Sequence, residues 1–89
     1  MTRYRSTDLH MPTEWTAASK AISYTRIVDT IRGKQRHRGF SCLVWRRTER
    51  GQQEQAPDWR TLTFARKPSN AVKWAEKYAR QLNKEAEHA

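Results

Sequence analysis

The chain has 89 residues, with 18 Lys and Arg against 9 Asp and Glu, a formal charge of +9 and only 36% hydrophobic residues. That length sets a single small domain with a limited core. The cationic surplus excludes an acidic mimic of nucleic acid and points to a polyanionic partner, either nucleic acid or an acidic protein or nucleoprotein surface.

Residues 1–12 show no hydrophobic period and read as a flexible arm, mildly basic through Arg3 and Arg5. A short helix is expected over residues 13–22. Thr13 can cap it, Glu14 suits the positive end of its dipole, and Trp15, Ala18 and Ile22 recur at i, i+3 and i+7. Residues 24–32, YTRIVDTIR, are rich in β-branched side chains and read as a first strand. The following GKQRHRG reads as a loop bracketed by Gly33 and Gly39. The apolar run Phe40 to Trp45 then suggests a central strand with cover on both sides.

Residues 48–58, TERGQQEQAPD, are the most polar stretch, with Gly51 and Pro57 as breaks, and read as a mobile hairpin connection. In residues 59–67 Leu62 and Phe64 alternate with Trp59, Thr61 and Thr63, which suggests a third strand. Pro68 ends it. Ser69 can cap a long helix that runs without Gly or Pro to about residue 86, leaving 87–89 as a tail. Ala71, Trp74, Ala75, Tyr78 and Leu82 form its expected core stripe, and Lys73, Lys77, Arg80 and Lys84 a basic one. The expected architecture is α+β: one αβββα domain over residues 13–86, with a three-stranded antiparallel sheet and the long helix on one face.

The chemistry-bearing residues are sparse. His10 and His88 lie near the ends, His37 sits among cations, and the acids are scattered. No Cys or His recurs at metal spacing, and no phosphate-loop pattern occurs. The expectation is a protein with no enzymatic activity, no metal, no cofactor and no small-molecule substrate. The single cysteine, Cys42, lies in an apolar run and reads as a buried structural thiol suited to a reducing, cytoplasmic setting. No apolar h-region and no run of 18 apolar residues is present, so neither a signal peptide nor a membrane span is expected.

Basic residues are concentrated. From residue 32 to residue 50 lie Arg32, Lys34, Arg36, Arg38, Arg46, Arg47 and Arg50, with His37 a further cation when protonated, against one acid, Glu49. Arginine suits such a surface because its planar fork donates paired hydrogen bonds to phosphate or to a guanine edge. Arg66 and Lys67 stand before a helix N-terminus, whose free N–H groups favour anions, and Lys73 and Lys77 extend the charge along the helix. Trp59, opposite Leu62 and Phe64 in the expected alternation, reads as packed under the first helix rather than free to stack a base.

The helix-strand-strand-strand-helix order resembles the double-stranded-RNA-binding domain, and Gly33, His37 and Phe40 echo that family's loop between its first two strands, though its proline is missing. The strand-strand-strand-helix part is equally similar to integrase arm-binding modules, which lay a sheet into the DNA major groove. No single family is assigned. The favoured reading is a nucleic-acid-binding protein that grips the backbone of duplex DNA or RNA through a basic hairpin. The alternative is a small inhibitor or adaptor, of the kind phages and mobile elements use, that docks on a host protein or nucleoprotein complex.

Overall fold

The computed structural model describes residues 13–87; the arm expected over residues 1–12 and all but the first residue of the tail lie outside them. The fold is α+β, with antiparallel sheets and a long C-terminal helix. Its strands are β1 (Thr16–Ala17), β2 (Ile22–Thr30), β3 (Gly33–Ser41), β4 (Val44–Arg47) and β5 (Gln53–Gln55), and its helices α1 (Trp59–Leu62) and α2 (Pro68–Glu87). The strands form two sheets rather than one: a three-stranded sheet in the order β1-β4-β5 and a two-stranded ribbon of β2 and β3.

The helix expected at residues 13–22 is not formed; this segment contributes β1. Its backbone groups find partners far along the chain. The Thr13 N–H donates to the Arg47 carbonyl at 3.0 Å, and the Ala18 N–H to the Leu43 carbonyl at 2.8 Å. The Thr13 hydroxyl, expected to cap a helix, accepts the Arg47 N–H at 2.8 Å. Trp15 is held by the side-chain amide of Asn83 on α2, which accepts its N–H at 2.7 Å and donates to its carbonyl at 3.0 Å. A helix of about ten residues is marginal alone, and these tertiary bonds override it. Asn83→Ala should therefore cost about 1–3 kcal/mol, read as a lower urea midpoint at unchanged slope.

The segment 33–39, expected as a loop, is strand. β2 and β3 pair antiparallel over nine residue pairs, from Ile22↔Ser41 to Thr30↔Gly33. Only Ile31 and Arg32 are left to turn, and neither has positive φ. Such a turn splays right-twisted strands, and Gly33, at φ 114°, absorbs the mismatch. The Thr30 hydroxyl closes the turn by donating to the Gly33 carbonyl at 2.6 Å.

The apolar run at residues 40–45 is not one central strand. It closes β3, breaks at Cys42 and Leu43, and opens β4, carrying the chain from the ribbon to the other sheet. The break is pinned by Thr63: its buried hydroxyl accepts the Cys42 N–H at 2.8 Å and donates to the Trp59 carbonyl at 2.7 Å. Cys42 is fully buried, as expected, with its Sγ 3.2 Å from the Ala18 carbonyl, and burial pushes its thiol pKa up.

The polar segment 48–58 holds a tight turn, closed by the Gly51 N–H on the Thr48 carbonyl at 2.8 Å, and then β5. β4 and β5 pair through Trp45↔Gln55, Arg46↔Glu54 and Arg47↔Gln53. The strand expected over 59–67 is replaced by α1 and a bridge between Ala65 and Phe40. The buried residues here are Trp59 and Thr63, four apart as in a helix, whereas Leu62 is 54% exposed.

The long helix forms as expected, with its core stripe in place except at Trp74. Ala71, Ala75 and Ala79 are the buried residues, Tyr78 and Leu82 are half-buried, and Trp74 lies outside at 48% exposure. Three alanines let the helix lie close to the residues beneath it. The core is correspondingly compact: Cys42, Val44, Ala56, Trp59 and those alanines. Trp59 packs here rather than under a first helix.

Candidate nucleic-acid interface

Residues directly opposite in an antiparallel pair share a face, and successive residues alternate. The register therefore sorts the ribbon's side chains. One face carries Lys34, Arg36 and Arg38 on β3, opposite Asp29, Ile27 and Thr25 on β2. The other carries His37 opposite Arg26, with Gln35 opposite Val28 and Gly39 opposite Tyr24. All five basic positions named, including His37, are exposed. Side chains on one face of a strand recur about every 6.8 Å, close to the step between neighbouring phosphates along one strand of a duplex. Three cations in a row on a rigid ladder can therefore meet successive phosphates without bending the backbone.

Among the described residues, only the root of the ribbon is braced. There the chain of Phe64 to Arg66 crosses the outer edge of β3: the Phe40 N–H donates to the Ala65 carbonyl at 2.7 Å and the Ala65 N–H returns to the Phe40 carbonyl at 2.9 Å. Phe64 packs edge-on against Tyr24, ring centroids 6.1 Å apart, above Gly39. This places Arg66 beside the ribbon. A recess of about 490 Å³ is lined by Arg36, His37, Arg38, Phe64 and Arg66. At the far end Ile31 is fully solvated and Arg32 exposed.

The remaining sequence candidates lie elsewhere. Arg46 is engaged: its Nε lies 2.8 Å from Glu54 Oε1, the one ion pair among the described residues, and its guanidinium stacks 4.5 Å from the Trp15 ring centroid. Arg47 is exposed but donates to the Gly51 carbonyl at 2.9 Å. Lys67 precedes α2, its carbonyl accepting the N–H groups of Asn70 and Ala71. Lys73 and Lys77 project from α2, where with Asn70, Trp74 and Arg80 they line a separate recess of about 430 Å³. The structure thus gathers Lys34, Arg36 and Arg38 on one face, brings Arg66 to a recess it shares with Arg36 and Arg38, and leaves the helix cations apart.

Two residues escaped the sequence reading. Arg26 was legible only as one outward position of a strand, and its pairing with His37 needs the register. Trp74 was absorbed into a core stripe that Ala71, Ala75, Tyr78 and Leu82 supply without it, with Ala79 added. Compared with protein families, characterised proteins and solved structures, the chain matches none.

Proposed function

We propose that this protein binds nucleic acid without catalysis, laying the β2–β3 ribbon against the backbone of duplex. The observation that carries this reading is the row of Lys34, Arg36 and Arg38, exposed on one face of a ladder that, among the described residues, is braced only at its root. Arg32 at the turn is exposed, and Arg66 at the root shares a recess with Arg36 and Arg38. Between Ile22 and Ser41 the fixed cations are Arg26, Arg32, Lys34, Arg36 and Arg38, and Asp29 is the one carboxylate. None of those cations belongs to an ion pair among the described residues, so each is free to exchange water and counterions for phosphate. A two-stranded ribbon fits the major groove, and contacts made mainly to phosphate give little sequence preference. Arg46, held by Glu54 and Trp15, contributes less.

About five neutralised phosphates give a slope of log K against log salt near −4 to −5. Titration of the protein with duplex DNA, duplex RNA and single strands between 50 and 300 mM salt measures it. A flat response, or no binding at the low-salt end, overturns the reading.

One observation favours the second reading, a protein-docking inhibitor or adaptor. The outer edge of β2 pairs with no other strand among the described residues, and such an edge can accept an extended segment of a partner. A partner protein that stays bound after nuclease treatment, and is lost when β2 carries Thr25→Pro, decides for it.

A further inference from the structure

We propose a second nucleic-acid site, on α2, in which Trp74 stacks one unpaired base while Lys73, Lys77 and Arg80 hold the neighbouring phosphates. It occupies a different element from the ribbon and shares with that reading only the choice of ligand class. The starting observation is where the tryptophans go. Trp59 is buried and Trp15 and Trp45 are partly covered, yet Trp74 leaves nearly half of its surface in water at 48% exposure. Trp74 is not among the side chains packed against the core, which is mostly alanine.

Its surroundings select the ligand. The recess around it is lined by Asn70, Lys73, Trp74, Lys77 and Arg80, with no carboxylate among them. Glu76 lies opposite Trp74 by the 100° step, but it stands three residues from Lys73 and four from Arg80 and so offsets part of their charge at the recess margin. A ligand for this site must combine negative charge with a flat apolar face. A nucleotide carries both within one residue, whereas an acidic peptide supplies the charge and only occasionally the ring. The face must also be free. Bases inside a duplex have theirs covered by neighbours, so the site selects an unpaired nucleotide.

The free protein already shows the substitution that binding would make. The Lys77 ammonium lies 5.2 Å from the Trp74 ring centroid, a cation over a π face. At an exposed site that contact is weaker than stacking of a base on the same ring. An arriving base displaces Lys77 and releases its charge for phosphate, with Lys73 and Arg80 already in place along the recess.

The test compares a fluorescein-labelled oligothymidylate 12-mer with a blunt duplex of equal length, at one salt concentration, by anisotropy. Trp74→Ala should weaken binding of the single strand about 5- to 100-fold and leave duplex binding within about two-fold. Trp74→Phe should recover most of the loss. The ribbon variant with Lys34, Arg36 and Arg38 changed to Ala should show the opposite preference. Circular dichroism checks that each variant is folded. A folded Trp74→Ala protein that binds the 12-mer as the parent does overturns the site, whatever the duplex does. Equal protection from quenching, by polyglutamate and by the 12-mer, of the emission that the parent has and Trp74→Ala lacks also overturns it, because the site would then read charge alone. Failure of duplex binding together with a Trp74-dependent single-strand affinity removes the ribbon reading and keeps this one.

Discussion

Replacing Lys34, Arg36 and Arg38 together by Ala should lower duplex affinity by two to three decades at 0.1 M salt while leaving the fold intact. The magnitude follows from counterion release. Each phosphate contact contributes about 0.9 to the slope of log K against log salt, so losing three flattens it by about 2.7. If the salt-independent part of binding is unchanged at 1 M, the same slope gives about 2.7 decades of lost affinity at 0.1 M and about 1.4 decades at 0.3 M. The deficit must therefore shrink as salt rises. The side chains are exposed on the solvated part of the ribbon and make no ion pair among the described residues. Their removal should move stability by less than about 0.5 kcal/mol. Arg46→Ala is the contrasting variant, since its guanidinium is committed to Glu54 and to the Trp15 ring. It should lower stability by about 0.5–2 kcal/mol and flatten the salt slope by less than one contact's worth. A loss of affinity in the triple variant that does not vary with salt would mean that these residues act through shape rather than charge.

The basic cluster was legible in the sequence, but its arrangement was not. Read as a loop, Lys34, Arg36 and Arg38 have no fixed relation to one another or to His37. The register gives them a common face and places His37 on the other, against Arg26. The first strand of the ribbon was legible from its β-branched residues; β3 hid because residues 33–38 are exposed on both faces, so they lack the alternation that a half-buried strand shows. The long helix was legible for the opposite reason: 20 residues without an internal breaker outweigh any local ambiguity. Its buried face was legible at Ala71, Ala75, Tyr78 and Leu82 and wrong at Trp74, whose bulk stood out where the smaller Ala79 is the residue buried. At residues 13–18 the helical and alternating patterns both fit, and the decision comes from Asn83, 68 residues away from Trp15. At residues 59–63 the alternation was real, and the chain used the i, i+4 pair of Trp59 and Thr63 instead. At residues 13–18, then, what the sequence lacked was a partner distant in the chain.

Gly39→Ala should be the most damaging single methyl in the molecule. Gly39 lies within a ladder, opposite Tyr24, and its φ is not positive, so the backbone there asks for no glycine. Space does. A β-carbon would sit 2.5 Å from the Ala65 carbonyl oxygen and 2.8 Å from two carbons of the Phe64 ring. The carbonyl cannot retreat freely, because it accepts the Phe40 N–H at 2.7 Å and the adjoining Ala65 N–H is bonded back to Phe40. Relief requires either moving Phe64 off Tyr24 or parting the bridge that ties the ribbon's root to the segment before α2. Overpacking of this kind costs about 1–3 kcal/mol, and a lost backbone hydrogen bond adds about 1 kcal/mol. The sum, about 2–4 kcal/mol, is a large share of a small domain's stability and corresponds to a melting point lower by roughly 10–25 °C. Gly33→Ala isolates the other kind of demand: its φ of 114° strains any side chain, but no atom lies within 4 Å of the new carbon. It should cost about 1–2 kcal/mol, and the damage should stay at the turn. The two variants should also differ in binding. Gly39→Ala displaces Phe64 and Arg66 from the recess they share with Arg36 and Arg38, so it should weaken duplex binding even where the protein remains folded. Gly33→Ala leaves that recess as it is. A Gly39→Ala protein that melts with the parent and binds duplex equally well would mean that the 64–66 segment does not brace the ribbon.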